Sequence, residues 1–222
     1  MKKVLLILLL SFAKNASAYI LPPSYYFQQW TEQTKSLNSF LIKQEREITG
    51  GLPQVLQETV KVKKQGLYRF AVNSAAQEEV KIMGATKAAE GRIDSLSIVS
   101  MQQVISPLDT ILLYTQASRI ESALKQLGVD VSKYSLELIQ SKKEIMIGDE
   151  KGNRIYVSPD TQKMDAMVYQ NKLYMFRYNP GTPLAVYPSI IEIYENNQVK
   201  EKITIRSIAT NAKFSDLEFD VK

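Results

Sequence analysis

"KVKKQGLYRF", residues 61–70, decides the fold. Gly66 marks a turn, and beyond it Tyr68, Phe70 and Val72 alternate with Arg69 and Ala71, the period of two of a half-buried strand. The stretch therefore reads as the end of one strand, a tight turn and the start of the next. The same period runs upstream from Ser39: Phe40, Ile42 and Ile48 share a face with Gln44 and Arg46, and Lys43, Glu45 and Glu47 take the other. Gly50-Gly51 turns the chain into Val55–Val62, so three antiparallel strands form a meander.

Flanking segments extend this pattern. Pro22-Pro23-Ser24 punctuates the start of a helix capped by Ser24 and running to about Leu37, with Tyr26, Phe27, Trp30 and Leu37 near one face. Residues 74–105 predict a short strand, a mobile loop over the Ala/Gly-rich stretch Gly84–Gly91, and a strand at Ile98-Val99. Ser106-Pro107-Leu108-Asp109 then opens a second helix, whose stripe of Leu108, Ile111, Leu112, Ile120, Leu124 and Leu127 ends at Gly128. From there the chain reads as β: Val131–Ile139, Glu144–Ile147, Arg154–Val157, Met164–Tyr169, Leu173–Tyr178, Ile190–Glu195 and Gln198–Ser207. Asn196-Asn197 suits a type I′ turn between the last two, and Leu217, Phe219 and Val221 alternate as a closing strand.

The expected fold is mainly β (α+β): one long antiparallel sheet, twisted and curled into an unclosed half-barrel, with a few amphipathic helices as its lid. Helices too few to tile the concave face would leave an apolar cavity beneath them.

Composition removes whole chemistries. The 222 residues hold no Cys and no His, so disulfides, thiol nucleophiles, imidazole-ligated zinc and Ser-His-Asp catalysis are excluded. Neither cofactor nor metal is expected. Lys2-Lys3, the apolar run Val4–Ala13 and Ala16-Ser17-Ala18 have the grammar of a secretory signal peptide, cleaved after Ala18. The organisation expected is a signal peptide at 1–18 and a single domain at 19–222, exported to the periplasm. Cleavage removes Lys2, Lys3 and Lys14 and lowers the formal net charge from +5 to +2, which gives no reason to expect nucleic acid. Glu45 with Glu47, and Glu192 with Tyr194, lie on the strand face opposite the apolar one, away from the desolvated cleft that acid–base catalysis needs, and no enzymatic role is expected.

The residues around the first hairpin also resemble a known family. Lys63, Lys64, Gln65, Tyr68 and Phe70 stand where the LolA/LolB-like outer-membrane lipoprotein-sorting proteins carry K-R-P-x-x-(F/Y)-x-(W/F). "SLNSFLIKQERE" is similar to that family's helix end and first strand. "LGVDVSKYSLELIQSKKEIMIGDEKGNRIYVSPDTQKMDAMVY" and "YPSIIEIYENNQVKEKITI" resemble one of its branches. Lys64 and Gln65 replace the family's Arg-Pro, putting a point charge where the family has a planar fork.

The resemblance implies a monomeric periplasmic carrier or chaperone that shields the acyl chains of a lipoprotein, or a free lipid, with envelope membrane proteins as further partners. An envelope lipid- or lipoprotein-sensing module of the same fold, signalling to a protein partner, is the alternative. The implied cavity lining is Phe40, Ile42, Tyr68, Phe70, Val72, Ile145, Ile147, Tyr174, Phe176, Ile191 and Ile193, with lid residues Phe27, Trp30, Leu112, Ile120 and Leu124. On the residues alone, Tyr68, Phe70, Tyr174 and Phe176 read first as plain core, since large apolar residues are usually simply buried. Lys64 and Arg69 are the implied rim or latch; a solvated strand edge guarded by lysine is the other reading.

Overall fold

A computed structural model describes residues 20–49, 52–63, 67–73, 78–83, 88–92, 95–99, 111, 117–139, 141–180 and 187–220. The expected signal peptide, Lys64, Leu112, Val221 and the start of the second helix lie outside the described residues.

Thirteen strands form one antiparallel sheet. The first six are β1 (Ser39–Ile48), β2 (Gln54–Lys63), β3 (Leu67–Asn73), β4 (Glu78–Met83), β5 (Ala88–Arg92) and β6 (Ser95–Val99). The rest are β7 (Tyr134–Ile139), β8 (Lys142–Gly148), β9 (Arg154–Val157), β10 (Met164–Tyr169), β11 (Lys172–Arg177), β12 (Ile190–Glu195) and β13 (Gln198–Thr210). Their spatial order is β6-β5-β4-β3-β2-β1-β13-β12-β11-β10-β9-β8-β7. Every pair but one is therefore a neighbour in sequence. The exception is the seam between β1 and β13, where Phe40 faces Thr210 and Ile48 faces Glu201. Among the described residues no strand pairs with the outer edge of β6 or of β7, and the sheet is not closed into a barrel.

Two α-helices are described, α1 (Pro23–Thr34) and α2 (Ala117–Gln126). Helix α1 starts one residue before the expected cap: Pro22 is the N-cap without a side-chain bond, and proline's fixed φ suits the first turn. It stops at Thr34, short of Leu37. Helix α2 ends as its glycine predicts. Gly128 has φ +75°, its N–H donates to Lys125 O (2.9 Å), and the Val129 N–H donates to Leu124 O (2.9 Å). Those two bonds make a Schellman cap.

Three expectations are corrected. The loop expected over Gly84–Gly91 is partly strand: Ala88–Arg92 is β5, paired on both sides by β4 and β6. Pairing of both its edges overrides the weak strand propensity of Ala and Gly. Val131 lies in a turn, and the strand expected there begins at Tyr134. The closing strand is instead a 3₁₀ turn over Asp216–Phe219. Ser215 accepts from Leu217 N while Glu218 reaches back to the Ser215 N–H, and this local capping outweighs the alternation of Leu217 and Phe219. Asn196 and Asn197 have φ +51° and +61°, the positive pair that a type I′ turn requires.

Candidate functional site

Cross-strand register collects the apolar face. Ile147 faces Ile155 and Ile155 faces Met167; Met167 faces Tyr174, and Tyr174 faces Ile193. Phe176 faces Ile191, which faces Ile203; across the seam Ile42 faces Ile208 on one side and Val60 on the other. This inner face is one continuous cluster with Phe40, Ile42, Tyr68, Ile145, Ile147, Phe176, Ile191 and Ile193 buried in it. Phe70 and Tyr174 are half-buried against the same cluster, and Val72 is buried on the same face of β3. The residues proposed from sequence as lining thus lie together.

Both helices sit on that face. Phe27 and Trp30 from α1, and Ile120 and Leu124 from α2, belong to the same cluster. Trp30 Nε1 donates to Gln162 O (2.6 Å) in the turn between β9 and β10. Gln162 Nε2 in turn donates to Tyr25 Oη (3.0 Å). A buried indole N–H needs such a partner, and here the partner fixes α1 to one end of the sheet. Asn153 fixes the end of α2: its Nδ2 donates to Leu127 O (2.6 Å) and its Oδ1 accepts from Gln170 N (3.0 Å). Tyr178 Oη, donating to Met164 O (2.8 Å), is so deeply buried that its ionisation is pushed far up.

Beyond the helices the apolar face continues uncovered. Tyr134 faces Ile147 and Leu136 faces Ile145, so Tyr134, Leu136 and Leu138 extend the inner face onto edge strand β7. All three are exposed, Leu138 by 73%. An apolar stripe on a free edge is unusual in a protein with no use for it.

The inner face also has a polar stretch. Glu58, almost wholly buried, accepts from Gln44 Nε2 (2.6 Å) and from Arg46 Nε (2.6 Å). Arg46 also bonds Glu201. Burial works against the guanidinium charge, but the bonds and charges of the two glutamates outweigh it and hold Arg46 more firmly protonated than usual. Alternation places Gln44 and Arg46 on the inner side from sequence; what sequence reasoning missed is Glu58, which shares the phase of Val60 and Val62 and so had to be buried.

Lys61, Lys63 and Arg69 of the opening hairpin lie on the outer face. Lys61 pairs with Glu218 and Lys63 with Asp216, both from the C-terminal 3₁₀ turn. Arg69 donates to Glu218 O (3.0 Å), and Lys61 also lies 5.6 Å from the Phe214 ring centroid. Arg69 thus faces away from the lid helices, towards the chain's own C-terminal turn.

No family model matches the chain, and no curated protein does. Solved structures do. A LolA superfamily protein of Nitrosomonas europaea aligns with a TM-score of 0.59 at 9% identity, covering 91% of this chain and 99% of that one. A DUF1329 family protein of Desulfovibrio piger gives 0.58 at 12%, over 90% and 98%. An outer membrane lipoprotein-sorting protein domain of Vibrio parahaemolyticus, so described as putative, gives 0.55 at 9%, over 89% and 95%. With the open thirteen-stranded sheet and its two helices on the inner face, the chain has a LolA-like fold.

Proposed function

We propose that the protein is a periplasmic carrier or chaperone that shields the acyl chains of a lipoprotein or free lipid between the inner face of the sheet and its helices. The observation that carries this reading is the uncovered apolar stripe Tyr134, Leu136 and Leu138, continuous with the helix-covered face through Ile145 and Ile147. It offers an acyl chain a way onto a face that is otherwise packed. The transfer needs no covalent chemistry: each buried CH₂ contributes about 0.8 kcal/mol, so one chain gives useful and reversible affinity. Opening requires α1 to give up its two bonds at Gln162, from Trp30 and to Tyr25, and to lift Phe27 and Trp30 from the cluster, a cost that binding energy has to offset. The likeness to a lipoprotein-sorting domain supports the lipoprotein as cargo, and residues 1–18 support export, with a mature start at Tyr19.

A fluorescent fatty-acyl probe tests the reading. Leu138→Asp changes an exposed residue, so the fold should persist while probe affinity falls several-fold. Phe70→Ala, half-buried on the same face, should lower affinity as well. Wild-type protein that binds no probe and carries no lipid by native mass spectrometry would return these side chains to plain core. Intact mass beginning at Met1 after export would remove the periplasmic assignment.

A further inference from the structure

The outer face carries a second apolar site. Met146, Tyr156 and Ala166 are buried there, in register across β8, β9 and β10 and remote from the helices. Val168, Leu173 and Met175 pack against them and, with Tyr156, wall a groove of about 410 Å³. That volume, with apolar walls and a few convergent polar groups, is what a small-molecule site has.

The groove's polar lining holds two carboxyls, Glu144 and Asp165, together with Lys142, Arg154 and Asn171. Glu144 is only 5% exposed, and no donor among the described residues reaches its Oε2. Asp165 is the extra residue of a β-bulge between Met164 and Ala166, a device that re-aims a side chain, and its carboxyl meets that of Glu144. The nearby cations do not neutralise the pair by contact. Arg154 is committed to Tyr156 Oη (2.7 Å) and Gly152 O (2.9 Å), while Lys142, itself in the groove lining, and Lys163 act on the pair by charge, with no ion pair to it among the described residues.

The geometry points to a binding site for a small organic amine, its apolar body in the groove and its ammonium seated on the Glu144–Asp165 pair. The ammonium supplies the donor that Glu144 Oε2 lacks, and its charge matches a pair that faces an apolar wall. Burial, the charge of Asp165 and the bond to it push the Glu144 carboxyl up to about 7; Asp160 adds to this and Lys142 opposes it. Burial raises Asp165 too, against its bond to Glu144 and the charges of Lys142 and Lys163. Below neutrality the two carboxyls therefore share a proton, which a bound ammonium displaces. The site lies on the face opposite the acyl-chain surface and stands or falls independently of it.

2-Phenylethylamine is the probe, followed by the methionine ε-methyl NMR signals. Met146 and Met175 report the groove, and Met164 and Met167 report the inner face. The amine should shift Met146 and Met175 saturably, and 3-phenylpropionate should not. Affinity should rise about tenfold from about pH 6 to about pH 8, as a carboxyl titrating near 7 releases its proton to solvent and leaves a carboxylate to pair with the ammonium. Glu144→Gln should weaken binding roughly tenfold and flatten that pH profile; Asp165→Asn should do the same and guards against a folding defect in the first variant. No saturable shift, a shift confined to Met164 and Met167, or equal binding of amine and acid would overturn the assignment. So would an unaltered Glu144→Gln variant, or tighter capture of acetyl-Phe-Lys-amide than of the free amine, which would make the occupant a partner's lysine.

Discussion

The two faces of the sheet are closed by different physics. Inside, apolar residues from nearly every strand meet two helices, and the buried Glu58 is satisfied by Gln44 and by Arg46, which also bonds Glu201. Outside, β2 and β3 are covered by ion pairs to a C-terminal turn, and β8 to β11 cover themselves with a small apolar patch beside two unneutralised carboxyls. The contrast shows that alternation along a strand assigns a residue to a face, and only the face's cover decides whether that residue is wet. It also divides the molecule's sensitivities: the inner face should answer to volume and charge insertion, the outer face to salt and pH.

The largest effect should follow Leu124→Asp. Leu124 is fully buried beneath α2, and an unpaired carboxylate there should cost roughly 3–5 kcal/mol, read as a lowered Tm. An unchanged Tm would mean that the helix does not seal the inner face. Next comes Arg46→Met, which strands the Glu58 carboxylate in the interior and should cost about 3 kcal/mol by urea denaturation. Glu58→Gln in the same background should recover part of that loss; a variant as stable as wild type would remove the claim that the inner face tolerates charge only when paired.

Both of those results concern the face whose position was legible in the sequence. The strands of that face were readable because Phe40 and Ile42, or Tyr68 and Phe70, alternate with polar residues. The LolA-like order of elements was readable as well. Less legible was β5, where Ala88 and Ala89 are small because they are tightly buried, and smallness looks like a loop. The C-terminal turn carried a signal that alternation masked: Ser215-Asp216-Leu217-Glu218 is a Ser-x-x-Glu capping box. The outer groove was hidden for another reason. In "IMIG" and "RIYV" burial is nearly continuous, a sign of cover on both faces, but nothing local says what covers the second.

A smaller effect sharpens the outer half of the contrast. Glu144 rises from an ordinary 4.5 to about 7 in the folded protein. The native state therefore binds more protons than the unfolded one between those values, and stability should fall as pH rises from about 4.5 to about 7 and level off above. The loss should reach at most about 3 kcal/mol, and Glu144→Gln should abolish it. A flat profile in the wild type would mean that the pair is hydrated. Smallest of all is Lys61→Ala, which removes a partly exposed pair with Glu218 and a contact with Phe214. It should cost no more than about 1 kcal/mol, and less in high salt. A cost that salt leaves untouched would assign the lysine to packing by its stem rather than to charge.

The seam between β1 and β13 has a consequence for how the chain acquires its shape. Neighbouring strands elsewhere are hairpin partners and close over short loops, but β1 must wait for the last strand of the sheet to be made. Until Gln198–Thr210 is in place, β1 presents an unpaired edge, and its Phe40 and Ile42 have cover from one side only. Closing so long a loop is entropically slow, and the half-made meander is in the meantime a template for any other strand. A chain built this way gains from a holding chaperone until that pairing is complete.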